Sequence, residues 1–348
     1  MPGRCDWQRR PNRGIVALSA SSVCHPMTSD SLPSSLRRLQ YAAFAPGPRM
    51  LVLGAVHGNE TCGTQAIARL QHELDSGQLR LQRGLLTLVP VTNPLAYQKQ
   101  QRQGDRNLNR NLRPHPAPAN FEDQLCNVLC PWIDEHEILL DLHSFHTGGM
   151  PFAMLGPEDN GGEVEPFAHG AAEARMVAHL GCQRVVEGWM GAYVRGVERR
   201  RQQGHAVSPD LLDRQYGVGT TEYARSKGLY GVTLECGQHD DPQAPQVAYH
   251  AILQTLALHG MIDVPLQPPL ADIQLIRLVD VIDMEHAEDR FTREWSSFDR
   301  VHQGQLIGHR HSGQAVLAPG DGYIVFPNPR ALPGNEWFYF GVDSQRRL

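Results

Sequence analysis

"MLVLGAVHGNETCG", residues 50–63, joins an apolar run to a segment with helical spacing. Met50-Leu51-Val52-Leu53 has no polar alternation, as expected of a strand buried on both faces in the middle of a parallel sheet. The following "TQAIARLQHEL" (64–74) places Ala66, Ile67, Leu70 and Leu74 on one helical face. A strand-to-helix turn needs only its glycines. This one also carries His57, Asn59 and Glu60. His57 and Glu60 are about one turn apart at a helix entrance, where both can reach one cation. The alternative is polar punctuation in a plain turn.

The same alternation continues along the chain. "GLLTLVPVTNP" (84–94), "EILLDLHS" (137–144), "PFAMLGP" (151–157) and "LYGVTLECG" (229–237) read as strands. "FEDQLCNVLCPWIDEH" (121–136), "PFAHGAAEARMVAHLG" (166–181) and "PQVAYHAILQTLALHG" (245–260) read as helices. Strands alternating with helices predict an α/β fold, a mixed and largely parallel sheet flanked by helices. After "MIDVPLQPPL" (261–270) the character changes to short strand-like runs between glycines: 273–282, 315–318, 322–327 and 336–341. The expected division is a catalytic domain over 31–268 and a small C-terminal all-β domain over 269–348.

The totals exclude several classes. A net charge of −5 gives no reason to expect nucleic acid or an anionic membrane as partner. No apolar run approaches the roughly 20 residues of a membrane span. Residues 1–30 read as a disordered tail or an over-extended reading frame, with Met27 as an alternative start, because the apolar patch Ile15–Leu18 is too short for a secretory signal. The seven cysteines are scattered and form no C-x-x-C pair, which points to buried thiols and a reducing cytoplasm.

Three groups of ionisable residues fall at the C-terminal ends of expected strands: His57 with Glu60, His143, and Glu235. Ligands of open α/β sheets bind at that edge. Two histidines and a carboxylate, with one position left for water, form a known catalytic zinc arrangement. Bound zinc lowers the pKa of water to about 7. Asp141, two residues before His143 and on the same strand face, either orients an imidazole or faces a different loop. "NPLAYQKQQRQGDRNLNRNL" (93–112) carries Arg102, Arg106 and Arg110, with Asn107, Asn109 and Asn111 between them. Such a run is either a solvated basic loop or a set of forks for a substrate carboxylate and carbonyl.

His57-Gly58-Asn59-Glu60, Asn109-Arg110, "DLHS" around His143 and "LECG" around Glu235 resemble the succinylglutamate desuccinylase/aspartoacylase family, a branch of the zinc carboxypeptidase-like superfamily. The resemblance covers roughly 45–260. Arg102 stands seven residues before Asn109, and Arg225 ten before Glu235, as in the deacylase branch. The resemblance implies one zinc ion per chain on His57, Glu60 and His143. It implies Glu235 as general base, Arg102 on the oxyanion, Asn109 and Arg110 on the amino-acid carboxylate, and Arg225 on a second carboxylate or the acyl end. The function it implies is zinc-dependent hydrolysis of the amide of a small carboxylate-bearing N-acyl amino acid. The alternatives are a zinc metallocarboxypeptidase acting on peptides and a non-catalytic binding protein on the same fold. A homodimer is the default expectation for a soluble enzyme.

Several features stay outside this reading. His146, in "SFHTGGMPFAMLGP" (144–157), is expected to be a hydrogen-bonded loop residue and not a ligand. "RGVERRRQQGH" (195–205) reads as a solvated helix face or mobile loop. His309 and His311 flank Arg310 at alternating positions that could bind metal, with an exposed β-loop as the simpler reading. Tyr230, Tyr323 and Tyr339 are all candidates for a substrate-capping tyrosine.

Overall fold

The apolar run at Met50–Leu53 is the buried half of a ten-residue strand. The computed structural model describes residues 31–203 and 208–348, so the expectations for 1–30, and Gly204 and His205 of the basic stretch, fall outside it. Strands β1 (Leu39–Ala42) and β2 (Ala45–Gly54) lead into helix α1 (Cys62–Asp75). Strand β3 (Arg83–Val89) precedes the short α2 (Pro94–Lys99) and α3 (Phe121–Asp134). Then come β4 (Ile138–Phe145), β5 (Phe152–Leu155), α4 (Gly170–Ala178), β6 (Arg184–Glu187), α5 (Trp189–Gln203), α6 (Thr220–Ser226), β7 (Tyr230–Gln238) and α7 (Ala244–Leu258). Beyond α7 the regular elements are strands alone: β8 (Gln274–Asp283), β9 (Arg290–Phe291), β10 (Arg300–Val301), β11 (Leu306–His309), β12 (Ala315–Leu317), β13 (Gly322–Val325) and β14 (Glu336–Asp343).

The main sheet runs in the order β1-β3-β2-β4-β7-β5-β6-β8-β14-β13-β10. Its centre, β3-β2-β4-β7, is parallel, which is why those strands lack polar alternation. Side chains along β2 alternate between two cores. Met50 and Val52 pack with Ile67 and Leu70 of α1 and Ile252 and Leu256 of α7. Leu51 and Leu53 pack with Leu125, Leu129 and Ile133 of α3. Each such side chain, fully buried, contributes about 1.5–3 kcal/mol relative to exposure. β5 pairs antiparallel with β7, which makes the sheet mixed. The C-terminal strands are hydrogen-bonded onto the same sheet, β8 parallel to β6 and β14 antiparallel to β8, while β9, β11 and β12 form a small sheet of their own.

The basic stretch after Trp189 differs from its expectation as a solvated face. Arg200 is 2% exposed, and its guanidinium grips Asp283 through Nε (2.8 Å) and Nη2 (2.6 Å). Arg199 pairs with Asp280 at 2.8 Å, and Arg195 donates to the carbonyl of Val279 at 2.7 Å. These arginines dock α5 onto β8. Composition alone reads the same residues as solvated, because the acidic partners lie some eighty positions downstream.

Candidate active site

The parallel register of β2, β4 and β7 brings their C-terminal ends to one edge. Gly54 lies beside Leu142, and His143 lies directly beside Glu235. The 54–63 turn then folds back over this edge. The residue with positive φ there is Ala55 (φ 47°), so the glycines serve close approach instead. A Cβ on Gly58 would sit 1.9 Å from the backbone of Ala96 in α2, and one on Gly63 would sit 2.8 Å from Leu142. That packing swings His57 and Glu60 toward His143.

The three side chains converge. His57 Nδ1 lies 2.8 Å from Glu60 Oε1, His143 Nδ1 lies 2.8 Å from Glu60 Oε2, and the two Nδ1 atoms are 3.2 Å apart. All three residues are at most 2% exposed. The outer nitrogens are also held: His57 Nε2 meets Asn107 Oδ1 at 2.9 Å and His143 Nε2 meets Asp141 Oδ2 at 2.9 Å. Both of those partners are acceptors, so each Nε2 carries the proton and each Nδ1 presents a lone pair inward. With both imidazoles neutral, two lone pairs and a carboxylate face one point, a donor set that suits a cation. The 3.2 Å spacing is close to the separation of about 3.3 Å between nitrogen ligands of a tetrahedral zinc ion. The residues present therefore fit a zinc ion.

The charges agree with this. Burial, helped by nearby Arg102, holds His57 down at about 4. Burial alone would raise Glu60, but His57 and His143 hold it well below the usual carboxylate value. His143 is raised despite its burial, because Asp141 and Glu60 favour its charged form. Glu60 and Asp141 thus favour positive charge where the donors meet.

Glu235, 8% exposed, stands beside this cluster with Oε2 buried and unpartnered. Burial pushes its carboxyl up to about 8; His143 acts against that rise and Glu60 adds to it. Arg102 reaches Glu60 Oε1 at 3.2 Å with its side chain half exposed, so the guanidinium borders both the donors and solvent. Asn109 uses its Oδ1 to accept from Thr220 N at 2.9 Å, at the start of α6. Arg110 lies 4.8 Å over the Trp189 ring, with Nη2 3.5 Å from Glu336 of β14.

Arg225 is not brought to this edge. It is 5% exposed, forks onto Glu173 through Nε (3.0 Å) and Nη2 (2.8 Å), and pairs with Glu165 at 2.8 Å. Its Nη2 also donates to the carbonyl of Gly231, near the opposite end of β7 from Glu235. Arg225, expected to meet substrate, has its donors on Glu173, Glu165 and a backbone carbonyl in this structure. His146 is also apart from the donors, on an exposed turn 6.4 Å ring to ring from His239.

Sequence reasoning left other neighbours unassigned. Asn107 was visible only as one of three asparagines in a basic run. His239 joins Ser144 Oγ (2.8 Å) to Asn59 Nδ2 (3.3 Å), tying the turn to the end of β4. Among the tyrosines, Tyr230 bonds His259 and Tyr323 bonds Asp343, whereas the buried Tyr339 hydroxyl has no partner and its ring packs on Trp189 at 4.9 Å. Glu336 had no motif around it.

Residues 46–254 match the profile of the succinylglutamate desuccinylase/aspartoacylase catalytic domain. Several solved structures share the fold over most of both chains. A succinylglutamate desuccinylase/aspartoacylase from Rhodobacter sphaeroides is 18% identical, with 89% of each chain covered and a TM-score of 0.63. The product-bound ectoine utilization protein EutE (DoeB) from Ruegeria pomeroyi is 19% identical, with 88% of each chain covered and a TM-score of 0.64. A succinylglutamate desuccinylase from Vibrio parahaemolyticus is 14% identical, covering 90% of this chain and 93% of its own, with a TM-score of 0.65. No curated protein matches the sequence. At these identities the structural likeness speaks for the fold, and the profile, spanning more than half of the chain, speaks for the family: the chain belongs to the succinylglutamate desuccinylase/aspartoacylase family.

Proposed function

We propose that this deacylase is zinc-dependent and hydrolyses the amide of a small N-acyl amino acid that carries at least one carboxylate. The observation that carries the proposal is the convergence of His57 Nδ1, His143 Nδ1 and the Glu60 carboxylate beside Glu235 and Arg102. His57, Glu60 and His143 would hold one zinc ion, which when bound supplies Lewis acidity and lowers the pKa of water. Asn107 and Asp141 keep the two imidazoles in the tautomer that presents Nδ1.

Glu235 takes a proton from the attacking water as its oxygen bonds to the acyl carbon, then delivers that proton to the departing nitrogen as the C–N bond breaks. The products are a carboxylic acid and a free amino acid. Arg102 faces the oxygen on which negative charge develops. Arg110, steadied by Trp189 and Glu336, takes the amino-acid carboxylate, and Asn109 holds the loop that presents it. With Arg225 engaged elsewhere, the second carboxylate loses its expected partner. The buried and unpartnered Tyr339 hydroxyl beside Arg110 supports a hydrogen bond to substrate. Residues 31–268 carry the donors and Glu235, and the segment 269–348 contributes Glu336 and Tyr339.

The test is a panel of N-acyl amino acids and short peptides, scored for amine release with and without a chelator. The expected result is turnover of N-acyl amino acids that the chelator abolishes and zinc restores. Cleavage of peptides in preference to every N-acyl amino acid would overturn the substrate class.

A further inference from the structure

The side chains gathered around His311 are His286 and Glu288, and not the His309 that stands near it in sequence. The turn after β8 carries His286 and Glu288, and the β11–β12 hairpin brings His311 against them. The two imidazole rings stack at 4.1 Å with 20° between their planes. His311 Nδ1 lies 2.5 Å from Glu288 Oε2. The backbone N–H of Glu288 donates to His286 Nδ1 at 3.2 Å, so that lone pair is engaged, and a metal would take the ring through Nε2, or through Nδ1 once this bond is released. One donor atom from each residue lies within 4.8 Å of the others, and all three residues are exposed.

The arrangement is built rather than incidental. Asp289, its carboxylate fully buried, fastens both loops at once. Its Oδ2 accepts from the backbone N–H groups of Glu285 (2.8 Å) and His286 (3.2 Å) and from Arg310 Nη1 (2.9 Å). Its Oδ1 accepts from the backbone N–H of His311 at 2.8 Å. The backbones of both histidines are therefore fixed side by side by one buried carboxylate. Closing the donors onto a common ion, with nitrogens about 3.3 Å apart, needs only rotation of exposed side chains.

We propose that His286, Glu288 and His311 form a second divalent metal site, separate from the buried cluster. Two imidazoles and one carboxylate suit zinc, nickel or copper better than calcium or magnesium, which take all-oxygen sets. The site opens to solvent, so water completes the coordination and exchange is fast.

The experiment titrates Zn2+ into chelator-stripped full-length protein against a chromophoric competitor, for wild type, His286→Ala, His311→Ala and Glu288→Gln. Wild type is expected to bind one equivalent more than either alanine variant, and Glu288→Gln to bind that equivalent more weakly, since a neutral amide oxygen replaces an anionic ligand. Thermal unfolding of the stripped proteins should be alike, since the three side chains are exposed and Asp289 is intact. Binding curves for the alanine variants that superimpose on wild type would overturn the proposal. If the buried cluster took no zinc, wild type would bind a single equivalent that His311→Ala removes. That outcome supports the surface site while refuting the zinc-dependent reading of the active site.

Discussion

At the residue scale, two buried ionisable groups carry opposite expectations. Glu235 has an ordinary carboxyl value of 4.5 when unfolded and is pushed up to about 8 by burial in the metal-free fold. The folded state then holds the proton more tightly than the unfolded one. Its contribution to stability is full below about 4.5 and is lost as pH rises to about 8. Metal-free Glu235→Gln has no such group, so its stability advantage over wild type should grow from pH 5 to 8 and then level off. Denaturant titrations across that range check this, and parallel curves would contradict it. Arg225 behaves in the opposite manner. Replacing it with Met leaves Glu173 and Glu165 buried without their cation, which should cost about 3–5 kcal/mol of stability. In the protein that remains folded, KM should be unchanged. A raised KM with unchanged stability would return Arg225 to the substrate.

At the element scale, the site depends on how closely the 54–63 turn lies on α2. Gly58→Ala puts a methyl against the backbone of Ala96, which a side-chain rotation cannot relieve. The expected outcome is a loss of about 1–3 kcal/mol together with weakened metal binding, because His57 and Glu60 flank the displaced residue. Equilibrium unfolding and zinc titration of the same variant measure both. The buried strands and the helices α1, α3, α4 and α7 were legible because their apolar patterns are local. The arginines of α5 were not, since Asp280 and Asp283 are distant in sequence and adjacent only after β8 pairs with β6. Strand β6 itself, Arg184–Glu187, is too short to stand out from its surroundings.

At the scale of the whole molecule, sheet topology decides which expected site residues meet. His57, Glu60, His143 and Glu235 could be listed together from sequence because each sits at the C-terminal end of a parallel strand, and parallel register sends those ends to one edge. Arg102 joins them through the loop after α2. Arg225 lies at the wrong end of β7, and a spacing of ten residues does not reveal which end. Glu336 and Tyr339 were illegible for a different reason: they arrive on β14, an antiparallel strand whose Glu336 lies 226 residues beyond Arg110. The central claim is that zinc on the buried donors enables amide hydrolysis. It is tested most directly by adding zinc stepwise to stripped His311→Ala protein and reading initial rate against bound metal. A rate that rises linearly and saturates at one ion per chain is the predicted result. Full activity without metal, or one tightly bound ion with no turnover of any N-acyl amino acid, would contradict it.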